Sequence, residues 1–291
     1  MCNYVPSSTC FMINNLKKLC SILDQHNFNG IELSANIDYI EKDQLIEVIT
    51  KFQQMKFFIH NYFPKPIKSI VLNPAHHKTA LKTIRHAKMA IDLCNECGIK
   101  QYSLHSGAAI NMSPHELGNK QFHLKPIPME ESRKILLDSC FEIAEYAKQK
   151  NVELLLENNV ASKNNCPNGI NDRYHLTDIE ESYELKPLFE HSNIGILLDT
   201  GHLKVSAKTL NFDIKTFLMT FNDKIHAVHI SENDAESDQN LPITEHSWFW
   251  NMIPWKNVDY VSLEVIGLNA SELQHQIDLT NRMIKLNERR L

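Results

Sequence analysis

The chain has 291 residues, 43% of them apolar and 22% charged, with a net charge of −5 when histidine is neutral. That composition is ordinary for a folded globular protein and excludes a disordered chain. No apolar run approaches the ~18 residues of a membrane span, and 24 lysines and 6 arginines without a block of like charge leave no footprint for duplex DNA.

The seven cysteines are odd in number, and no charged segment followed by an apolar one marks a secretory signal. Both features predict a reduced, cytoplasmic protein. Cys94-Asn-Glu-Cys97 is a lone C-x-x-C inside a helical pattern, and it reads as helix packing.

In chain order, short β-like runs alternate with longer helical patterns. Tyr4-Val5-Pro6 is a weak first strand, and 14–25 has apolar residues at helical spacing. Strands are predicted at 30–33, 56–60 and 101–105, with helices at 43–54 and 77–97. Gly98 stands where a helix commonly ends. After a long loop over 106–128 come a helix at 129–150, a strand at 152–157 and a second long loop at 158–176. The rest reads as a helix at 178–189, a strand at 194–199, a helix at 213–221 begun by Asp213, and a strand at 225–230. An acidic loop over 231–245 leads to a short aromatic helix at 247–253, a strand at 260–265 and a closing helix at 271–287. The whole chain, 1–291, thus forms strand–helix units without a linker. Eight such units predict a single-domain α/β fold, a closed (β/α)8 barrel. The glycine-rich turns of nucleotide-binding folds are missing.

In such a barrel the active site lies at the C-terminal strand ends. The predicted strands end at or near Glu32, His60, His105, Glu157, Asp199, His229 and Glu264. Any one of these has an ordinary structural explanation. Asp199, for example, stands where it would cap the next helix, with His202 as a loop histidine. The recurrence of acids and imidazoles at one mouth instead points to divalent-metal ligands, because packing them together without a counter-charge is costly.

The stretches Phe58-Ile59-His60, Ser103-Leu104-His105-Ser106-Gly107, Leu156-Glu157-Asn158, Leu198-Asp199-Thr200-Gly201-His202, Val228-His229-Ile230 and Leu263-Glu264 carry a resemblance. The chain resembles the xylose-isomerase-like TIM-barrel superfamily, which includes sugar isomerases and epimerases and the endonuclease-IV-type AP endonucleases. The resemblance implies that Glu157, Asp199, His229 and Glu264 hold a shared metal. It implies that His60 and His105, with Glu157, match a second metal site of the nucleases. His202 matches either a substrate-facing residue of the epimerases or a ligand of a third nuclease metal. That third site normally adds an Asp-x-His. Here the nearest match is Thr244-Glu245-His246, in which His246 fits and Thr244 does not.

Three functions follow as expectations. The first is metal-dependent isomerisation or epimerisation of a sugar or sugar phosphate through an enediolate, with Glu157 and Glu264 exchanging protons and His202 orienting a hydroxyl. Mn²⁺ suits the mixed oxygen and nitrogen donors, with Zn²⁺, Mg²⁺ or Co²⁺ as alternatives. The second is phosphodiester hydrolysis at an abasic site, which the acidic strand-seven loop disfavours by repelling a phosphate backbone. The third is a barrel that binds carbohydrate or metal without turnover. The substrate side is assigned to Tyr62, which can stack on a sugar face, and to Arg173 or Lys125 as the anchor of any phosphate. The Trp248-Phe249-Trp250 run with Trp255 reads as helix packing or as a contact in a homo-oligomer.

Overall fold

In a computed structural model, which describes residues 2–117 and 119–288, the chain forms the expected α/β barrel. Strands β1 (Asn3–Pro6), β2 (Gly30–Leu33), β3 (Lys56–His60), β4 (Gln101–His105), β5 (Glu153–Glu157), β6 (Ile194–Asp199), β7 (Ile225–Ile230) and β8 (Tyr260–Leu263) follow one another in the sheet. The ladders are parallel, and β1 pairs with β8. An isolated parallel bridge between Ser7 and Glu32 brings β1 against β2 and nearly closes the ring.

Helices α1 (Leu16–Gln25), α2 (Lys42–Lys51), α3 (Ala80–Glu96), α4 (Met129–Gln149), α5 (Glu180–Glu190), α6 (Thr200–Leu210), α7 (Ile214–Thr220) and α8 (Ala270–Glu288) surround the strands. Their ends follow local chemistry. Asn15 caps α1 through Lys18 N, and Asp213 caps α7 through Lys215 N and Thr216 N. Gly98 takes φ +71° directly after α3, a backbone conformation that favours glycine.

Two elements differ from the sequence expectation. Between β6 and β7 the chain makes two helices, because α6 begins immediately at Thr200 with Asp199 as its N-cap. The aromatic segment 247–253 is a series of turns followed by a short 3-10 helix, Trp255–Asn257. Two indole N–H groups there bond to backbone carbonyls, Trp250 Nε1 to Thr244 O at 2.7 Å and Trp255 Nε1 to Trp250 O at 2.8 Å. Phe249, Trp250 and Trp255 are buried in the barrel wall, so they are packing groups rather than an exposed oligomer contact. None of the seven cysteines is joined in a disulfide, and burial raises the Cys94 pKa. Among the described residues no helix is long and apolar enough to cross a membrane.

The two long loops are ordered by their own contacts. Ala108, Ile110, Ala161, Cys166 and Tyr174 form a small apolar cluster under them. His175, fully buried, is the hub. Its Nε2 meets Ser132 Oγ on α4 at 2.8 Å and its Nδ1 meets Glu181 Oε1 at 2.5 Å. Its carbonyl accepts from Ser106 Oγ and Asn159 Nδ2, which ties the loops after β4 and β5 to each other. Removing this imidazole leaves Glu181 buried with one partner fewer. His175→Ala is therefore expected to destabilise the fold by about 3–5 kcal/mol. A urea-denaturation midpoint within error of the parent would contradict it.

Candidate metal centre

Strand register sets the site. In the β4–β5 ladder His105 stands beside Glu157, and in the β6–β7 ladder Asp199 stands beside His229. His60 lies beside Ser103 in the β3–β4 ladder. Glu264 follows β8 directly, its N–H donating to Ile230 O at 3.2 Å. Four of the expected ligands therefore converge on one point. His229 Nδ1 lies 3.6 Å from Glu157 Oε1, 3.8 Å from Asp199 Oδ2 and 3.5 Å from Glu264 Oε2.

Three imidazoles have one nitrogen pinned to the protein and the other turned into the mouth. His229 Nε2 donates to the Glu32 carboxylate at 2.9 Å, leaving Nδ1 free. His60 Nδ1 meets Ser103 Oγ at 2.9 Å, and its Nε2 lies 3.4 Å from Glu157 Oε2. His202 Nδ1 donates to Asn158 O at 2.8 Å, and its Nε2 faces Asp238 Oδ2 at 3.5 Å and Asp199 Oδ2 at 4.0 Å. His105 Nε2 also lies 3.4 Å from Glu157 Oε2. The two oxygens of Glu157 thus face two donor sets, Asp199 and His229 on one side and His60 and His105 on the other.

The donor chemistry fits a metal. His229 Nδ1 and Glu157 Oε2 are buried polar atoms with no hydrogen-bond partner, a costly arrangement that an ion would resolve. Donor separations of 3.5–3.8 Å suit neighbouring ligands around one ion with bonds of about 2.0–2.2 Å. Without an ion, protons balance the carboxylates. Burial works against a charged His229, but Glu32, Glu264 and Glu157 outweigh it and raise its pKa well above the usual value. His202 is raised in the same way, burial being overcome by Asp199 and Asp238. Burial pushes Asp199 up to about 7, whereas Glu264, also buried, is held down to about 2 by His229. Glu157, despite its burial, is lowered by His105, His60 and His229. Burial lowers His105 to about 4.

Other expected residues lie elsewhere. His246 is exposed, and among the described residues neither it nor His202 joins a three-ligand group. Arg173 is buried, its guanidinium held by Asp172 at 2.7 Å, by Gln121 O at 3.1 Å and over the Phe122 ring. It staples the two loops together and offers no free fork to a phosphate. Lys125 is exposed. Tyr62 is half-buried, accepts from Ile70 N at 2.9 Å and lines the cleft above the site.

Two residues outside the four implied ligands complete the site. Glu32 is fully buried and orients His229, although its strand-end position was its only sequence signal. Asp238 reaches His202 from the acidic loop. That loop can approach because a side-chain Cβ at Gly201 would lie 2.9 Å from Ser231 Oγ and 3.0 Å from Asp238 Oδ1. Lys204–Glu232 and Lys208–Glu236, each at 2.6 Å, fasten the same loop to α6. Glu232 and Glu236 are thus each paired with a lysine of α6, while Asp234 accepts from the backbone of its own turn.

Comparison with known proteins shows the family and the fold. Residues 20–260 match the family model described as the xylose isomerase-like TIM barrel. No curated protein sequence matches the chain. Among solved structures, a D-tagatose 3-epimerase-like protein is similar at 16% identity and a TM-score of 0.70, with 99% of each chain covered. A D-psicose 3-epimerase from Clostridium cellulolyticum H10 is similar at 10% identity and 0.66, with 98% of each covered. An AP endonuclease of family 2 from Brucella melitensis is similar at 13% identity and 0.62, covering 91% of this chain and 93% of that one. At these identities the structures share the fold, while the family match spans most of the sequence. The chain belongs to the xylose isomerase-like TIM barrel family.

Proposed function

We propose that the protein is a divalent-metal-dependent sugar isomerase or epimerase. One observation carries the reading: Glu157 and Glu264, on strands three apart in the sheet order, each place a carboxylate oxygen about the orphaned His229 Nδ1, at 3.6 and 3.5 Å. Both carboxylates are held in the ionised form. Glu157, Asp199, His229 and Glu264 would hold the metal, with Mn²⁺ the ion that mixed oxygen and nitrogen donors suit. A bound divalent ion supplies Lewis-acid polarisation of a carbonyl and its neighbouring hydroxyl. One glutamate takes the proton from the carbon beside the carbonyl; the other, first protonated from solvent, gives that proton to the opposite face, and exchange with water returns both to their starting states. His202, fixed by Asn158 O, presents Nε2 toward a substrate hydroxyl. Glu32 holds His229 in the tautomer whose Nδ1 lone pair points at the site. The free thiols support a cytoplasmic location. The buried Arg173 favours a sugar without a phosphate.

One observation favours a second reading, metal-assisted phosphodiester hydrolysis. His60, His105 and the unpartnered Glu157 Oε2 form a further donor set beside the first. Clustered metals bridged by one carboxylate suit hydrolysis of phosphate esters.

Three outcomes test the proposal. In D2O with Mn²⁺, a ketose panel of D-fructose, D-tagatose and D-psicose should take up deuterium beside the carbonyl, and Glu264→Gln should slow this by about 10²–10⁴-fold. Cleavage of an abasic-site duplex without deuterium uptake would instead support hydrolysis. Glu32→Gln should weaken Mn²⁺ binding by about 10–100-fold, because the Glu32 carboxylate on His229 Nε2 raises the basicity of Nδ1; unchanged affinity by calorimetry would show that Glu32 only packs. Finally, Mn²⁺ affinity should rise with pH through about 7, since Asp199 and the raised His229 must shed protons to become ligands. Calorimetry in buffers of different ionisation enthalpy should show more proton release at low pH than at high pH, and a pH-independent affinity would refute this.

A further inference from the structure

The cleft that reaches the metal-ligand cluster at His105 exceeds what one small sugar needs. A cleft of about 930 Å³ has His105 and Asp238 among its lining groups. From there it extends between the segment after β3, which supplies Tyr62, Ile70 and Leu72, and the loops after β4 and β5, which supply Met112, Val160 and Asn165. These walls are built in advance. The Tyr62 ring stacks on His86 with centroids 5.9 Å apart, and Asn165 Oδ1 accepts from Gln121 N at 2.7 Å. Met112 packs on the small apolar cluster beneath the loops. The lining mixes apolar faces with side-chain amides, the combination that receives the C–H face and the hydroxyl rim of a sugar ring.

A pocket near the top of the ~300–1,000 Å³ range holds ligands of several rings, whereas a free ketose is a single ring. We infer that the substrate is an extended keto sugar, a ketose end at the mouth carrying a second ring through a glycosidic bond. The inference rests on the sugar reading above and names its substrate class. The reacting carbon loses a proton to one glutamate and regains one on the other face. The glycosidic bond stays intact, and the second ring contributes binding alone. Because the walls are preformed, the ring's binding energy is not spent on ordering loops.

Lactulose and maltulose, each a ketose bearing a second ring, are the probes, with D-fructose as the single-ring comparison. With the Mn²⁺-loaded protein, one of the disaccharides should bind at least about tenfold more tightly than D-fructose by calorimetry, and kcat/KM should rise mainly through KM. Met112→Trp, which fills the cleft, should weaken binding of that disaccharide several-fold more than binding of D-fructose. Ile67→Trp, at an exposed cleft position where folding is not at stake, should shift the ratio in the same direction. D-fructose binding as tightly as both disaccharides, or substitutions that weaken both classes equally, would overturn the inference. Tight disaccharide binding without deuterium uptake from D2O by any sugar would sink the proposed reaction and leave the extended site standing.

Discussion

The site depends on a carboxylate that water does not reach. Glu32 is fully buried inside the barrel, its backbone bridged to Ser7 where the ring nearly closes and its side chain held by His229 from β7. Ser262 Oγ donates to it at 3.3 Å. A buried carboxylate is costly unless paired, so this pairing fixes the imidazole as firmly as it fixes the strands. One nitrogen of His229 is consumed by it, and the other is left to Glu157, Asp199 and Glu264. The closing edge of the sheet and the orientation of a metal ligand therefore share one residue.

Asp199 shows how a structural role and a ligand role coexist in one side chain. Oδ1 caps α6, accepting from His202 N at 2.7 Å, while Oδ2 faces His229 and His202. Asn158 locks the strand end from both sides, accepting from Asp199 N and donating to Asp199 O. The helix cap positions the carboxylate, and the helix then carries His202 into the same mouth. Packing pairs from α6 also hold the strand-seven loop, which delivers Asp238 to His202.

The strand ends are legible because short apolar runs stopping at His, Asp or Glu are visible without any contact information. Glu157, Asp199, His229 and Glu264 stand out in this way as strand ends; their grouping as one ligand set comes from the family resemblance, and the ladders bring them together. Helix α6 is missing from the predicted elements, although Asp199 stands where a cap would, because its start, Thr200-Gly201-His202, follows the strand without a break and its cap is itself a metal-ligand candidate. Asp238 was hidden among loop acids, since only the close approach permitted by Gly201 distinguishes it from Asp234. Arg173 was misread because a rare arginine suggests an anion, and nothing in the linear sequence reveals that Asp172, Gln121 and Phe122 surround it. The aromatic run before β8 has helical spacing, but its indoles bond to the backbone of their own turns.

The central claim is that one divalent ion belongs among Glu157, Asp199, His229 and Glu264. The orphaned His229 Nδ1 and the converging carboxylate oxygens are its physical basis. The most direct test is an anomalous-difference map at the manganese edge, from crystals of the protein grown with Mn²⁺. The account predicts a strong peak bounded by those four side chains. No peak there, or a peak only between His60 and His105, would contradict it.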